Sequence, residues 1–248
     1  MKIVDAAWEK RNLGVSCSEI ALSAEDSFEQ LEAAVSGLDS EYIVLKAPVS
    51  SPQFIFSVYS LGFVYVEDSI PLVRNLDHLE YSPMLHRLAE QTSVELISDI
   101  DLLLCEVRKG MFDTDRVSLD PQFTKEMAAN RFAGWILDEH RCGTQFYNYI
   151  WKGKAIGFFA LRDAGNGIYD SVLGGLYVDY RKLPLGNILN YKIFELAAQL
   201  GGKQLCTTVS TNNSVQLRSL LACGYMISDI FHVYVLHRNH GTKDEKIC

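Results

Sequence analysis

Two basic side chains, Arg181 and Lys182, lie in a short turn between a glycine-rich strand and an amphipathic helix. Residues 168–178 have the apolar pattern of a strand, and residues 187–200 have the apolar spacing of a helix. The first N–H groups of a helix have no intrahelical acceptor and carry a partial positive charge, so such a turn can hold an anion. The chemistry that these residues predict is the binding of a phosphate or pyrophosphate.

A second polar motif follows the predicted helix, over residues 213–225 (NSVQLRSLLACGY). Asn213 stands where a short helix begins. A side-chain oxygen at that position can cap the helix by accepting from its free N–H groups, and it can also contact a ligand. The two roles are compatible, and the sequence leaves both open.

The remaining pattern defines the elements that must position these motifs. Ser98 or Asp99 can cap a helix that runs through residue 107, and Pro121 stands at the start of a long helix over 122–140. Lys152-Gly153 is a two-residue hairpin signal. The other predicted elements are strands at 94–97, 145–151, 154–162, 204–209, 225–227 and 231–237, and a helix at 214–222.

The first part of the chain has its own alternation of strand and helix signals. This pattern predicts an N-terminal α/β domain over residues 1–85 and a second, larger domain over residues 93–238. The polar stretch 74–80, with Pro83 just beyond, predicts a hinge between them. Residues 239–248 are polar and predict a flexible tail.

Composition excludes several functional classes. With 48% apolar residues, 22% charged residues and a net charge of −8, the chain is an ordinary globular protein and not a basic nucleic-acid binder. No apolar run approaches the roughly 20 residues of a membrane helix, and the N-terminus lacks a signal-peptide pattern. The six cysteines are scattered, without zinc spacing. We therefore expect no metal, no nucleic acid, no membrane partner, reduced thiols and a cytoplasmic location.

The order of elements over residues 93–238, together with the two motifs, resembles the GNAT acyl-CoA N-acyltransferase superfamily. In that family a turn of the form Arg/Gln-x-x-Gly-x-Gly/Ala wraps the pyrophosphate of coenzyme A, and residues 181–186 read RKLPLG here. Residues 213–225 are similar to the family's Asn-x-x-Ala-x-x-x-Tyr-x-x-x-Gly-Phe. Trp8 and Gly14 resemble features of two-domain members such as TDP-fucosamine acetyltransferase. The resemblance implies an α/β (α+β) fold with a mixed, mostly antiparallel central sheet.

The resemblance also implies a binding site for acetyl-CoA as co-substrate, with no metal. Leu176 and Val178 would offer backbone groups to the pantetheine arm on a splayed strand, next to Gly174-Gly175, which suit a bulge or a close backbone approach. The residues expected to bind the cofactor are Leu176, Tyr177, Val178, Arg181, Lys182, Leu183, Leu185, Gly186, Asn187 and Asn213.

Two residues depart from the family pattern. Pro184 replaces the first glycine of the turn and removes one N–H donor, although its fixed φ suits a helix start. Leu220 stands where many members carry a tyrosine that protonates the leaving thiolate, and a leucine cannot donate a proton. Tyr234 and His232, on the closing strand, are the candidate catalytic residues in its place.

Other polar residues have two interpretations each. Glu139 or His140 could act as a general base, but a solvated helix end explains them as well. Asp170 is expected on the surface. Tyr147, Tyr149 and Trp151 share one face of a strand, and we expect them to cover the sheet rather than to form a sugar platform.

The function implied is the transfer of an acetyl group from acetyl-CoA to a primary amine of a small metabolite, by direct attack. An amino-sugar nucleotide is the favoured acceptor on the two-domain analogy, and a homodimer is a further expectation. An amino acid, a polyamine or a protein lysine is the alternative acceptor. A non-catalytic GNAT-fold binding module is the alternative of another class. A strongly acidic acceptor groove would favour polyamines or lysines, and a basic one would favour a sugar nucleotide.

Overall fold

The computed structural model describes residues 1–77 and 82–238. Contacts divide the chain into two compact units: unit 1 comprises Met1–Ser69 and Ile230–Cys248, and unit 2 comprises Ile70–Asp229. These boundaries differ from the predicted 1–85 and 93–238, because the last described strand pairs with strands of unit 1. The predicted tail at 239–248, and the part of the predicted hinge after residue 77, lie outside the described residues.

The secondary-structure elements alternate along the chain. The first part contains β1 (Lys2–Asp5), α1 (Ala7–Leu13), β2 (Cys17–Ala21), α2 (Phe28–Ser36), β3 (Tyr42–Pro48), α3 (Gln53–Ser60) and β4 (Val64–Asn75). There follow α4 (Pro83–Ala89), β5 (Thr92–Leu96), α5 (Ile100–Arg108), α6 (Arg116–Leu119), α7 (Lys125–Arg141), β6 (Gln145–Trp151), β7 (Lys154–Gly165) and β8 (Ile168–Leu176). The last elements are a 3-10 turn (Val178–Tyr180), α8 (Gly186–Gln199), β9 (Gln204–Ser210), α9 (Ser214–Ala222), β10 (Met226–Ile227) and β11 (Phe231–His237).

Unit 1 has the strand order β1-β2-β3-β11-β4, in which β4 contributes its first half. β2 and β3 are parallel, whereas β11 is antiparallel to both of its neighbours. The core of unit 1 consists of apolar side chains that are at most 5% exposed, among them Ile20, Leu31, Ile43, Leu45 and Phe54. Their burial supplies the apolar free energy that holds the unit together.

Unit 2 has the strand order β4-β9-β8-β7-β6-β5, with β10 pairing the second half of β4. The hairpins β5–β6, β6–β7 and β7–β8 are antiparallel, and β8–β9 is parallel. Helices α5 and α7 pack on one face of this sheet through side chains such as Leu103, Val107, Phe132, Phe146 and Phe158. The predicted mixed, mostly antiparallel α/β architecture is confirmed.

Local sequence signals account for several boundaries. Asp99 caps α5 by accepting from Asp101 N at 3.0 Å. Lys152 and Gly153 both have positive φ, as the two-residue β6–β7 hairpin requires. The long helix predicted from residue 122 begins at Lys125 instead, because Thr124 is its N-cap. In the described part of the chain no helix is long and apolar enough to cross a bilayer.

Candidate functional site

The parallel pairing between β8 and β9 is short. It covers only Ile168↔Gln204 to Asp170↔Cys206, although β8 continues to Leu176 and β9 to Ser210. One side-chain bond follows, from Thr207 Oγ1 to the carbonyl of Ser171 at 2.9 Å. Within the described residues, β9 forms no ladder pairs with residues 172–176, of which 173–176 pair with β7 on their other side. The two strands therefore splay apart and leave backbone groups of β8 available to a ligand.

Glycines let β7 and β8 approach each other closely beside this splay. A Cβ at Gly157 would lie 2.4 Å from the carbonyl oxygen of Gly175, and one at Gly174 would lie 2.8 Å from Phe159 Cβ. A β-bulge also shifts the register between Ala160 and Leu161. The sequence predicted a close backbone approach at residues 174–175, and the structure shows it at Gly174, which lies against Phe159 of β7. A Cβ at Gly175 would meet only the flexible Met111 side chain, at 3.3 Å.

The predicted basic turn lies at the end of β8. The 3-10 turn is closed by Leu183 N donating to Tyr180 O at 2.9 Å, and α8 then begins at Gly186 without a side-chain cap. The first intrahelical bond is Leu189 N to Leu185 O, at 3.0 Å. Among the described residues, the N–H groups of Gly186, Asn187 and Ile188 have no hydrogen-bond acceptor.

The space in front of these N–H groups is open. A Cβ at Gly186 would meet no atom within 4 Å. The turn is also fixed to the sheet, because the buried Tyr149 hydroxyl donates to Leu185 O at 3.4 Å. A helix start that is uncapped and open in front can bind an anion.

The two basic side chains of the turn have different surroundings. Arg181 donates to Asp113 Oδ2 at 3.0 Å, to Gly110 O at 3.0 Å and to Met111 O, so its guanidinium holds the loop after α5. Lys182 is exposed and has no partner in the part of the chain that the structure describes. Lys182 is therefore the basic side chain that is free to meet an anion.

The loop held by Arg181 lies over the splayed ends of β8 and β9. Ser210 Oγ donates to Thr114 O at 3.4 Å, and the Met111 side chain lies over Gly175. Phe112 packs on Phe132, with ring centroids 4.7 Å apart, and so ties the loop to α7. Local sequence signals do not predict these contacts, because they join residues far apart along the chain.

Asn213 caps α9, since its Oδ1 accepts from Gln216 N at 3.2 Å. The structure thus confirms the capping role of Asn213, whereas cofactor contact stays a prediction. Leu220 is buried, at 4% exposure. The hydroxyl next to it, Ser219 Oγ, donates to Asn187 Oδ1 at 2.5 Å and accepts from Asn190 Nδ2 at 2.8 Å. Sequence analysis did not identify Ser219, whose hydrogen bonds to Asn187 and Asn190 place it near the start of α8.

The other predicted cofactor residues surround the same turn. Leu183 and Gly186 are partly exposed, Val178 and Asn187 are exposed, and Leu185 is buried. Leu176 ends β8 opposite Gly157, and Tyr177 N donates to Ile156 O at 2.9 Å. Tyr177 is buried, and its burial raises the pKa of the phenol, so the hydroxyl is neutral. Their contact with a cofactor stays a prediction.

Both catalytic candidates belong to unit 1. Tyr234 is 2% exposed in the core of that unit, and Tyr59 and Tyr65 lie edge-on to its ring with centroids 6.0 and 5.8 Å away. Burial raises the pKa of Tyr234. His232 Nδ1 lies 2.7 Å from Asp68 Oδ1. These contacts give both residues a structural role, and their catalytic role stays a prediction.

Replacing Tyr234 with phenylalanine separates the two roles. A purely structural role predicts that kcat changes less than about two-fold, because the ring contacts that hold Tyr234 in the core do not need the hydroxyl. Steady-state kinetics of the Tyr234→Phe protein measure this. A fall in kcat of about 100-fold or more, the scale of lost general acid–base catalysis, would instead identify Tyr234 as the proton donor.

The remaining candidates have partners within unit 2. Glu139 accepts from Arg162 Nη1 at 2.9 Å and from Thr144 Oγ1 at 2.5 Å, so it is bound in an ion-pair network. Asp170 accepts from Arg162 Nη2 at 3.0 Å. Tyr147 stacks on Phe159 with centroids 5.3 Å apart, and Tyr149 is fully buried, so these rings cover the sheet as predicted. Within the described residues, no group of three or more His, Cys, Asp or Glu could hold a metal ion.

No family model matches the chain, and no curated protein matches it. Solved structures do match. A GCN5-related N-acetyltransferase from Sphaerobacter thermophilus is 13% identical with a TM-score of 0.55, over 84% of this chain and 64% of that one. A GCN5-related N-acetyltransferase from Kribbella flavida is 11% identical with a TM-score of 0.53, over 89% of this chain and 80% of that one.

A functionally unknown conserved protein from Staphylococcus epidermidis has a TM-score of 0.61 at 9% identity, over 90% of this chain and 84% of that one. This chain covers only 64% of the Sphaerobacter protein. The activity of that whole protein therefore cannot be assigned to this chain from the match. The comparisons give no support for the narrower resemblance to TDP-fucosamine acetyltransferase. At these identities they establish the architecture: the chain has the fold of the GNAT N-acetyltransferases.

Proposed function

We propose that the protein transfers an acyl group from acyl-CoA, with acetyl-CoA as the expected donor, to a primary amine. The observation that carries this proposal is the splay of β8 from β9 directly before the uncapped start of α8, within a GNAT fold. The splay offers backbone groups to an extended thioester arm. The helix start offers three N–H groups to its diphosphate.

The residues of the turn fit a diphosphate, with one difference from the family pattern, at Pro184. Gly186 leaves open space before the free N–H groups, and Lys182 supplies a positive charge. Pro184 supplies no N–H, and Arg181 is already bonded to Asp113. The backbone of α8 and Lys182 would therefore contribute most of the phosphate contacts.

The reaction is a direct displacement at the thioester. The neutral amine attacks the carbonyl carbon with its lone pair, a C–N bond forms, and the C–S bond breaks. The amine nitrogen loses a proton and the coenzyme thiolate gains one, so the products are an amide and free coenzyme A. Backbone N–H groups on the splayed strand would stabilise the oxyanion, and held geometry supplies much of the rate.

The experiment that tests this function is release of free thiol from acetyl-CoA in the presence of a panel of primary amines. We expect amine-dependent release with saturation in both substrates. Calorimetry with coenzyme A alone measures carrier binding separately from the chemistry. Absence of release with every amine, together with absence of coenzyme A binding at millimolar concentration, would refute the proposal.

Charge reversal at Arg181 tests the turn. We expect Arg181→Glu to raise the KM for acetyl-CoA at least about five-fold, because it places a negative charge beside the phosphates and loosens the loop at 110–113. Asp113→Asn is the matched control, since it removes the ion pair while leaving the guanidinium in place. An unchanged KM in Arg181→Glu would contradict the placement of the phosphates.

A non-catalytic GNAT-fold module is the second candidate function. Pro184 removes one phosphate donor, and the buried Leu220 replaces the tyrosine that is the proton donor in many family members. These two residues favour a module that binds the carrier without turning it over. Coenzyme A binding without thiol release would select this alternative.

A further inference from the structure

A cavity of about 490 Å³ lies in unit 2 beside the turn. Its walls come from the end of β5, from α5, from the middle of β6, from the start of β7 and from the residues that follow β8. Tyr177 and Tyr180 form the wall next to the turn, and Leu102 and Leu103 form the wall on α5. A volume in this range is typical of a site for a small molecule.

The charges of this cavity are all negative. Four carboxylates line it, those of Glu95, Asp99, Glu106 and Asp179, and none of its lining residues is lysine or arginine. Asp99 caps α5, and Glu106 accepts from Lys109 at 2.6 Å. This bond raises the pKa of Lys109, so its ammonium stays charged and balances Glu106.

Two of the four carboxylates accept no hydrogen bond from the protein. Glu95 and Asp179 are exposed, and in the described part of the chain neither carboxylate has a hydrogen-bond or contact ion-pair partner, although the Lys109 ammonium attracts Asp179 from a distance. They stand on different elements, Glu95 on β5 and Asp179 in the 3-10 turn. A ligand that enters the cavity therefore meets two negative charges from separate walls. Tyrosine rings beside them can add cation–π attraction.

We propose that this cavity binds a small aliphatic polycation, a di- or triamine, as the acyl acceptor. The inference rests on the proposed acyl transfer and specifies its substrate class. One ammonium group would be held by Glu95 and Asp179, while another amine of the same molecule, after losing its proton, reaches the thioester at the end of β8. Attraction between opposite charges in a partly enclosed site selects such a ligand.

The same charges disfavour a nucleotide-linked amino sugar. Its diphosphate carries negative charge, and like charges beside four carboxylates repel it. The acidic lining is the condition under which a polyamine or a lysine is preferred to a sugar nucleotide. A cavity with walls from β5, α5, β6 and the turn encloses a small molecule more readily than an extended protein segment.

The test compares two probes of equal carbon length, 1,4-diaminobutane and butylamine, in the thiol-release assay. The wild-type KM for the diamine should be at least about ten-fold below that for the monoamine. In the double variant Glu95→Gln, Asp179→Asn the ratio of the two KM values should move toward one, by about three-fold for each charge removed. Raising the salt concentration should reduce the same ratio, because partly exposed charges are screened.

Glu32→Gln is the matched control, since Glu32 is an exposed carboxylate on α2 of unit 1 and lines no part of the cavity. It should leave the KM ratio as it is in the wild type. Equal KM values for the two probes in the wild type, or a double variant that behaves like the control, would overturn the inference. Thiol release with either probe would then still support the acyltransferase.

Calorimetry of 1,4-diaminobutane with the full chain, in the absence of acyl-CoA, distinguishes failure of the polycation site from failure of the proposed acyl transfer. Binding that is lost in the double variant supports the cavity as a polycation site even if no thiol is released with any amine, an outcome that would refute the enzyme. Absence of diamine binding in the wild type, with thiol release from other amines, would overturn the cavity assignment alone.

Discussion

Replacing Gly186 with valine is expected to raise the KM for acetyl-CoA at least about ten-fold without loss of stability. A Cβ at this position meets no protein atom within 4 Å, and its φ lies outside the left-handed region, so the folded chain has room for the larger residue. The added methyl groups would occupy the space before the N–H groups of Gly186, Asn187 and Ile188. A phosphate displaced from three charge-assisted donors loses binding energy of this order.

Steady-state kinetics and a thermal melt together measure the effect of Gly186→Val. Ala7→Val is the matched control, because Ala7 is the exposed first residue of α1 in unit 1 and has the same position in its helix. The control should change neither the KM nor the melting temperature by a measurable amount. If Gly186→Val binds coenzyme A as tightly as the wild type, the diphosphate does not lie at the start of α8.

Replacing Gly157 with alanine should lower the free energy of unfolding by about 3 kcal/mol, the upper range for forcing extra atoms into a packed site. The new Cβ would lie 2.4 Å from Gly175 O and 3.0 Å from Leu176 Cα, both of which are backbone atoms. The two strands would have to separate, because no side-chain rotation relieves the contact. Since β8 then shifts, the backbone groups offered to the thioester arm should also move, and kcat should fall.

Urea denaturation followed by circular dichroism measures the loss in Gly157→Ala. Gly175→Ala is the control from the same pair of strands, since its Cβ would meet only the end of the Met111 side chain at 3.3 Å. That variant should cost less than about 1 kcal/mol, because a flexible side chain can give way. Equal losses in the two variants would show that close backbone approach does not shape β8.

Local signals predicted much of unit 2. The hairpin at Lys152-Gly153, the cap at Asp99 and the strand–turn–helix order around residues 168–200 depend on neighbouring residues, and the structure has each of them. The placement of α9 likewise followed from Asn213 as its cap. The turn was recognised because its residue types and the helix that follows it lie together in the sequence.

Long-range pairing could not be read in the same way. β11 pairs with β3 and β4, more than 150 residues earlier in the chain, so the predicted domain boundaries differed from the observed units. The side-chain partner of Arg181, Asp113, lies 68 residues away. On α9, Leu220 is 4% exposed and the neighbouring Leu221 is 40% exposed, because the helix turns Leu220 inward. The acidic cavity combines residues from five separate elements, so no single sequence motif predicts it.

The ion pair between Arg181 and Asp113 joins the turn to the loop over the ends of β8 and β9. A diphosphate that draws the guanidinium toward itself competes with the Asp113 carboxylate for the same donors. Binding of a diphosphate at the turn would thus change the mobility of the loop that contains Asp113, which lies next to the proposed thioester site. By thermodynamic reciprocity, a second substrate that orders this segment would alter the affinity for the carrier to the same degree.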